Sequence, residues 1–240
     1  LLPLRRARSL PMLNPEAPIF LYEDLAALIF GTRTLSEAGG EASSDADLAH
    51  AALLGSGLAL VGVALILRRS DYAALLTCNW SIRQVIGITL ICMLCLVLIG
   101  KLTLALFGGD LTTGKLGAIA VVGQNTLTFK MFRAIGMEYG FLALLIYAAI
   151  IVPLCEEVLF REVMLNSCSR YLSFLWANLV QAGLFAVFHE ELSLGLFYVG
   201  MGVMSGLLRK HSGGLVPSVL VHGVNNAIVI TALAWAPKTL

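Results

Sequence analysis

The chain has 240 residues, 58% of them hydrophobic and 13% charged, with a mean hydropathy of +0.87, which excludes a soluble domain of ordinary composition. A formal net charge of +1 supplies no basic footprint, so nucleic acid is not an expected partner. The composition is that of an integral membrane protein, and the fold class it predicts is all-α: a polytopic transmembrane helical bundle of about six spans plus an N-terminal interfacial helix.

Residues 1–50 are mixed and Pro-containing, with Arg5, Arg6 and Arg8 early and Glu37, Glu41, Asp45 and Asp47 late; they read as an extramembranous or interfacial region. Leu1 to Leu13 has arginines without a sufficient apolar run after them, so no cleavable signal peptide is expected. Ile19 to Phe30 is apolar but short and carries Glu23 and Asp24, which suits a helix lying in the interface. Residues 51–140 should hold two spans, 51–67 and 86–107, and then an amphipathic or re-entrant segment from Leu116 to Gly136, where Gln124, Asn125, Lys130 and Arg133 interrupt the apolar sequence. Residues 141–235 should hold four more spans, 141–165, 172–189, 192–208 and 215–235.

Basic residues collect in alternate loops: Arg68, Arg69 and Arg83, then Arg170, then Arg209 and Lys210. In a six-span arrangement these loops share one side, which the positive-inside rule makes cytoplasmic. Gly202 and Gly206 form G-x-x-x-G, with Gly195 on roughly the same face, a signal for close helix packing. The five cysteines, Cys78, Cys92, Cys95, Cys155 and Cys168, lie in or beside apolar runs and read as small buried apolar residues; Cys92 and Cys95 make a lone C-x-x-C with no second pair.

The anomaly is Pro153-Leu154-Cys155-Glu156-Glu157-Val158-Leu159-Phe160-Arg161. It sets two carboxylates and a guanidinium in a run that otherwise spans the membrane, where each charge costs roughly 2.5–3.5 kcal/mol even on a lenient insertion scale. Glu157 and Arg161 stand at i and i+4 and pair along one helix face. Glu156 has Leu159 and Phe160 at i+3 and i+4 and remains the carboxylate available for chemistry. Pro153 should remove the hydrogen bond to the Ala149 carbonyl and kink the helix just before the acids. The alternative is a buried ion-pair cluster that only locks helices together.

Two further polar intrusions follow. Phe185-Ala186-Val187-Phe188-His189 ends the fourth span, with Phe185 one turn below the imidazole and able to wall it. His222-Gly223-Val224-Asn225-Asn226 lies in the sixth, with His222 and Asn226 on one helix face. His50 and His211 occupy loop positions and suggest no chemistry. At 1.5 Å per residue His189 falls about 25 Å from Tyr171, deeper than Glu156 or His222. Either the first turns of that helix lie in the interface, the favoured option, or the turn at His189-Glu190-Glu191 dips into a water-filled cavity.

Glu156-Glu157-x-x-x-Arg161, Phe185-x-x-x-His189 and His222-x-x-x-Asn226, in this order, resemble the three motifs of the CPBP family, which takes in type II CAAX prenyl endopeptidases and bacterial Abi proteins. The resemblance covers roughly residues 141–235 and departs from the pattern at no motif position. It implies a helical intramembrane endopeptidase of glutamate type, with Glu156 and His189 activating water and His222 and Asn226 stabilising the oxyanion. Glu157, Arg161 and Phe185 would support them, with no cofactor and no metal. It also implies a bacterial inner (cell) membrane, a peptide or protein substrate at the membrane surface, lipidated substrates being one option, and membrane lipids as surroundings.

Elementary chemistry points the same way. Peptide hydrolysis needs a base for water, which Glu156 suits, and fixed donors for an oxyanion, each worth on the order of 10²–10³ in rate. One Glu and two His would also satisfy a catalytic zinc ion, but His189-Glu190 does not continue to H-E-x-x-H, because position 193 is Ser. Other readings are a non-enzymatic membrane scaffold or bacteriocin-immunity-type protein, and a proton-coupled transporter. The expectation carried forward is a protease whose cavity opens toward the cytoplasm.

Overall fold

The computed structural model describes residues 45–69, 78–107, 127–189 and 191–235. The expected interfacial helix at 19–30, most of the N-terminal region, residues 116–126 and Glu190 lie outside them. Among the described residues all regular structure is helical. Helix α1 (Asp45–Arg69) and helix α2 (Ile82–Phe107) come first. Leu127–Ile146 is broken at Gly140, whose φ of 84° is open to glycine and strained for other residues. The break reverses the chain. Phe132 meets Tyr147 with ring centroids 5.9 Å apart, whereas fifteen residues of straight helix would separate them by about 22 Å. We therefore number α3 as 127–139 and α4 as 141–168. Helix α5 (Phe174–Phe188), a 3-10 turn at Leu192–Leu194, α6 (Gly195–Ser212) and α7 (Val216–Trp235) complete the order.

Ala46–Leu65, Ile82–Leu106 and the stretch Lys130–Cys168 are long and apolar enough to cross a membrane, and Phe174–Phe188 and Val216–Ala232 are shorter apolar helices. The chain is thus an integral membrane protein with a helical bundle fold. The first expected span begins at Asp45 rather than 51. The end of the expected amphipathic or re-entrant segment forms the opening turns of α3, folded back against α4. Large apolar side chains point outward along the bundle, among them Leu54, Leu90, Ile91, Leu94 and Val187; in a bilayer this surface contacts acyl chains, not water.

Two cores hold the helices together. Ala49, Ala52, Ala134, Ile135 and Tyr147 join α1, α3 and α4, with Ser56 donating to the Tyr147 hydroxyl at 2.9 Å. Phe160, Phe185, Met201, Leu208, Leu215 and Val221 join α4 to α7. The G-x-x-x-G stripe packs α6 on α5. A Cβ on Gly202 would lie 2.8 Å from the Ala182 backbone, and one on Gly206 would collide with the Asn178 carboxamide. Gly195 takes no part, having open space around it. Buried Gln181 donates to the Gly202 carbonyl and to Asn178, at 2.8 Å each, so the glycines admit polar side chains as well as backbone. The cysteines divide: Cys92 and Cys155 are buried, but Cys95 is exposed and Cys78 and Cys168 are intermediate, because an apolar helix facing lipid shows its small residues outward too.

Candidate active site

Helix α4 carries the two acids between two departures from α-helical geometry, π turns at Tyr147–Ile151 and Val158–Met164 flanking the α segment Val152–Glu157. Such insertions often mark functional positions. Pro153 shapes the first in a way that differs from the sequence expectation. The Val152 N–H reaches back five residues to the Tyr147 carbonyl. In that register the donor missing at Pro153 orphans the carbonyl of Ala148 rather than Ala149. Asn226 on α7 fills the gap, its amide nitrogen donating to the Ala148 oxygen at 2.9 Å. Gly223 lets the helices meet: any Cβ there would run into the Ala149 carbonyl oxygen.

That docking places His222 over the acids. His222 Nδ1 lies 3.0 Å from Glu157 Oε1, and the same oxygen is 3.2 Å from the Arg161 guanidinium. Glu157 and Arg161 are both 0% exposed, and the Arg161 guanidinium carbon sits 4.6 Å from the Phe185 ring centre, a cation–π contact. The Glu157–Arg161 pair is therefore a buried anchor, oriented as helix spacing predicts. A carboxylate only accepts, so His222 Nδ1 carries the proton. Its other nitrogen, Nε2, lies 3.7 Å from Glu156 Oε2.

His189 reaches the same oxygen from a third helix. It ends α5 with its Nδ1 2.8 Å from the Phe185 carbonyl, which fixes the proton on that nitrogen. Its Nε2 is 3.9 Å from Glu156 Oε2. The Phe185 ring walls the imidazole at 4.4 Å between centroids, and Tyr198 stacks on it at 4.1 Å and 27°. Glu156 Oε2 itself is buried and accepts no hydrogen bond from the described residues. Both imidazoles thus turn an Nε2 toward one unsatisfied carboxylate oxygen, at separations suited to a bridging small molecule rather than direct bonds.

Helix α5 starts at Phe174, and Tyr171 lies outside it, 87% exposed. Fifteen residues span about 22 Å, short of the roughly 30 Å hydrocarbon layer. Glu191 braces the turn beyond α5, its carboxylate accepting from the Ser193 hydroxyl and, at 3.3 Å, from the Ser193 backbone N–H.

Glu156, His189 and His222 are brought together. Asn226 lies one turn beyond His222, with one N–H committed to Ala148. Sequence reasoning missed Tyr198, for which an isolated aromatic in an apolar run gives no signal. It also missed the buried pair of Glu162 and Arg209, 2.9 Å apart. By sequence Arg209 is a loop cation, yet its side chain points inward. The signal was present, since Glu162 is a fourth charge in the same apolar run. Among the described residues no three His, Cys, Asp or Glu side chains stand in metal-ligating geometry.

The fold and this cluster define a class: a polytopic helical membrane protein with a carboxylate and two imidazoles converging inside the bundle. Residues 138–228 match the family described as Type II CAAX prenyl endopeptidase Rce1-like. It is similar to the membrane-embedded CAAX protease MroQ of Staphylococcus aureus (strain USA300), 28% identical over 100 residues, 39% of this chain and 40% of the relative. It is also similar to the putative membrane peptidase YdiL of Bacillus subtilis (strain 168), 24% identical over 87 residues, 36% of each. The chain thus matches about two-fifths of these curated relatives' lengths. No solved structure matches.

Proposed function

We propose that this protein is an intramembrane endopeptidase of glutamate type, and that Glu156 is its base. The observation that carries the reading is the convergence of His189 Nε2 and His222 Nε2 on one unsatisfied oxygen of Glu156. A water held between Glu156 and His189 gives a proton to Glu156 as its oxygen attacks the scissile carbonyl carbon. The carbonyl π electrons move to oxygen. That oxyanion is met by His222 and by the second N–H of Asn226. For His222 to donate from Nε2 both its nitrogens must carry protons, and Glu157, itself tied to Arg161, compensates that charge. The tetrahedral intermediate then expels the amine as the C–N bond breaks, and Glu156 returns its proton to the leaving nitrogen.

The substrate is a peptide presented at the membrane, with a lipidated CAAX-type C-terminus as the first class to test. The relative named a CAAX protease motivates that choice. Purified protein in lipid nanodiscs would be given an internally quenched peptide ending in a farnesylated CAAX sequence, and its unmodified twin. Cleavage should occur, with mass spectrometry locating the bond, and Glu156→Gln should reduce it by at least about 100-fold while the helical circular dichroism is unchanged. Cleavage that survives Glu156→Gln overturns the mechanism. Failure of folded wild type to cut either peptide overturns the substrate class.

A further inference from the structure

His189 is the C-cap of α5, its own N–H still bonded to the Ala186 carbonyl but no further α-helical turn following it. Its side chain makes three close contacts, and a looser edge contact with Phe188 at 6.4 Å. The Phe185 carbonyl takes Nδ1 at 2.8 Å, the Phe185 ring lies against one side, and the Tyr198 ring stacks nearly parallel on it at 4.1 Å. The first two come from α5 itself and move with it. Tyr198 comes from the first turn of α6 and is the contact that ties His189 to the rest of the bundle. Its base is firm: neighbouring Phe197 and Leu194 are buried, and α6 is locked to α5 through Gly202 and Gly206. Glu191 and Ser193 stiffen the turn between the two rings.

We propose that Tyr198 is a positioning residue for His189: its ring, stacked on the imidazole face, and the Phe185 ring beside rather than opposite it, 6.4 Å from Tyr198, together clamp the side chain and so aim Nε2 at Glu156. The work is done by the aromatic face. The phenol oxygen is dispensable. This inference rests on the peptidase reading for its kinetic consequence but not for the clamp itself, so the test has two arms. In the first, Tyr198→Phe should keep kcat on the farnesylated peptide within about 3-fold, whereas Tyr198→Leu should lower it by about 10–100-fold, as a misaimed group does, with KM changed less than about 3-fold. In the second, side-chain resonances of ¹³C,¹⁵N-histidine-labelled protein are recorded without substrate. The His189 signal, assigned by its loss in His189→Gln, should sit in the ring-current shift of a stacked aromatic, persist in Tyr198→Phe and move in Tyr198→Leu.

A His189 signal unmoved in Tyr198→Leu overturns the clamp. Equal loss of kcat in Tyr198→Phe and Tyr198→Leu overturns the assignment to the ring, because the hydroxyl is then the acting group. Should Glu156→Gln retain turnover, the peptidase mechanism fails, and the resonance arm still decides the clamp. If Tyr198→Leu does not fold, Tyr198→Met carries the same two measurements.

Discussion

Two neighbouring glutamates with opposite surroundings divide the labour of the site. Glu157 is fully buried between Arg161 and His222 Nδ1, whereas Glu156 is partly exposed, with an oxygen that no described residue satisfies. Removing Glu157 strands a buried guanidinium and leaves His222 Nδ1 without its acceptor. Glu157→Ala should therefore destabilise the protein by about 3–5 kcal/mol, measured as a lower midpoint in thermal unfolding followed in detergent. Glu156→Gln should leave that midpoint nearly unchanged while abolishing turnover. Equal behaviour of the two variants would end this division of roles. Because the proposed base is a carboxylate acting on water directly, dialysis against EDTA should leave peptide cleavage intact; loss restored by zinc would favour the metal reading instead.

At the scale of the element, α4 and α7 are joined where Pro153 breaks the hydrogen-bond ladder. Asn226 replaces the missing donor at the Ala148 carbonyl, and Gly223 supplies the clearance. Asn226→Ala should cost about 1–3 kcal/mol by leaving a buried carbonyl unmet. Pro153→Ala restores an N–H in the same register. The double variant should then lose less stability than the two single losses combined, and chemical unfolding of the four proteins measures the coupling. Strict additivity would show that Asn226 and Pro153 act separately. A similar dependence links Glu162 on α4 to Arg209 on α6. Removing either strands the other, while replacing both with apolar residues of similar size should recover much of the loss.

For the whole molecule, the decisive quantity is the match between helix length and bilayer thickness. Helix α5, at fifteen residues, is shorter than the roughly 30 Å hydrocarbon layer requires. By the positive-inside rule, the end of the bundle that carries Arg83, Arg170 and Lys210 is expected to face the cytoplasm. His211 is exposed at that end of α6. His211→Cys, with the native cysteines replaced by alanine, should react with a membrane-impermeant maleimide in inside-out vesicles and resist it in right-side-out ones. The reverse labelling pattern would invert the orientation. At Gly140 the chain folds into a hairpin of α3 and α4, and the third expected span, 141–165, opens at that break.

By itself the sequence determined the membrane class, the all-helical fold, the pairing of Glu157 with Arg161, and the suspect set Glu156, His189, His222 and Asn226. Each of these follows from local rules: apolar run length, the period of the helix, and the cost of a charge among acyl chains. Only the tertiary structure decided that Glu156, His189 and His222 share one oxygen, that Asn226 meets the carbonyl Pro153 leaves open, that Arg209 turns inward to Glu162, and that Tyr198 lies over His189. These are contacts between helices distant in the chain, set by where glycines permit close approach and where a kink turns a face. No periodicity within a single helix records which neighbour that face will meet.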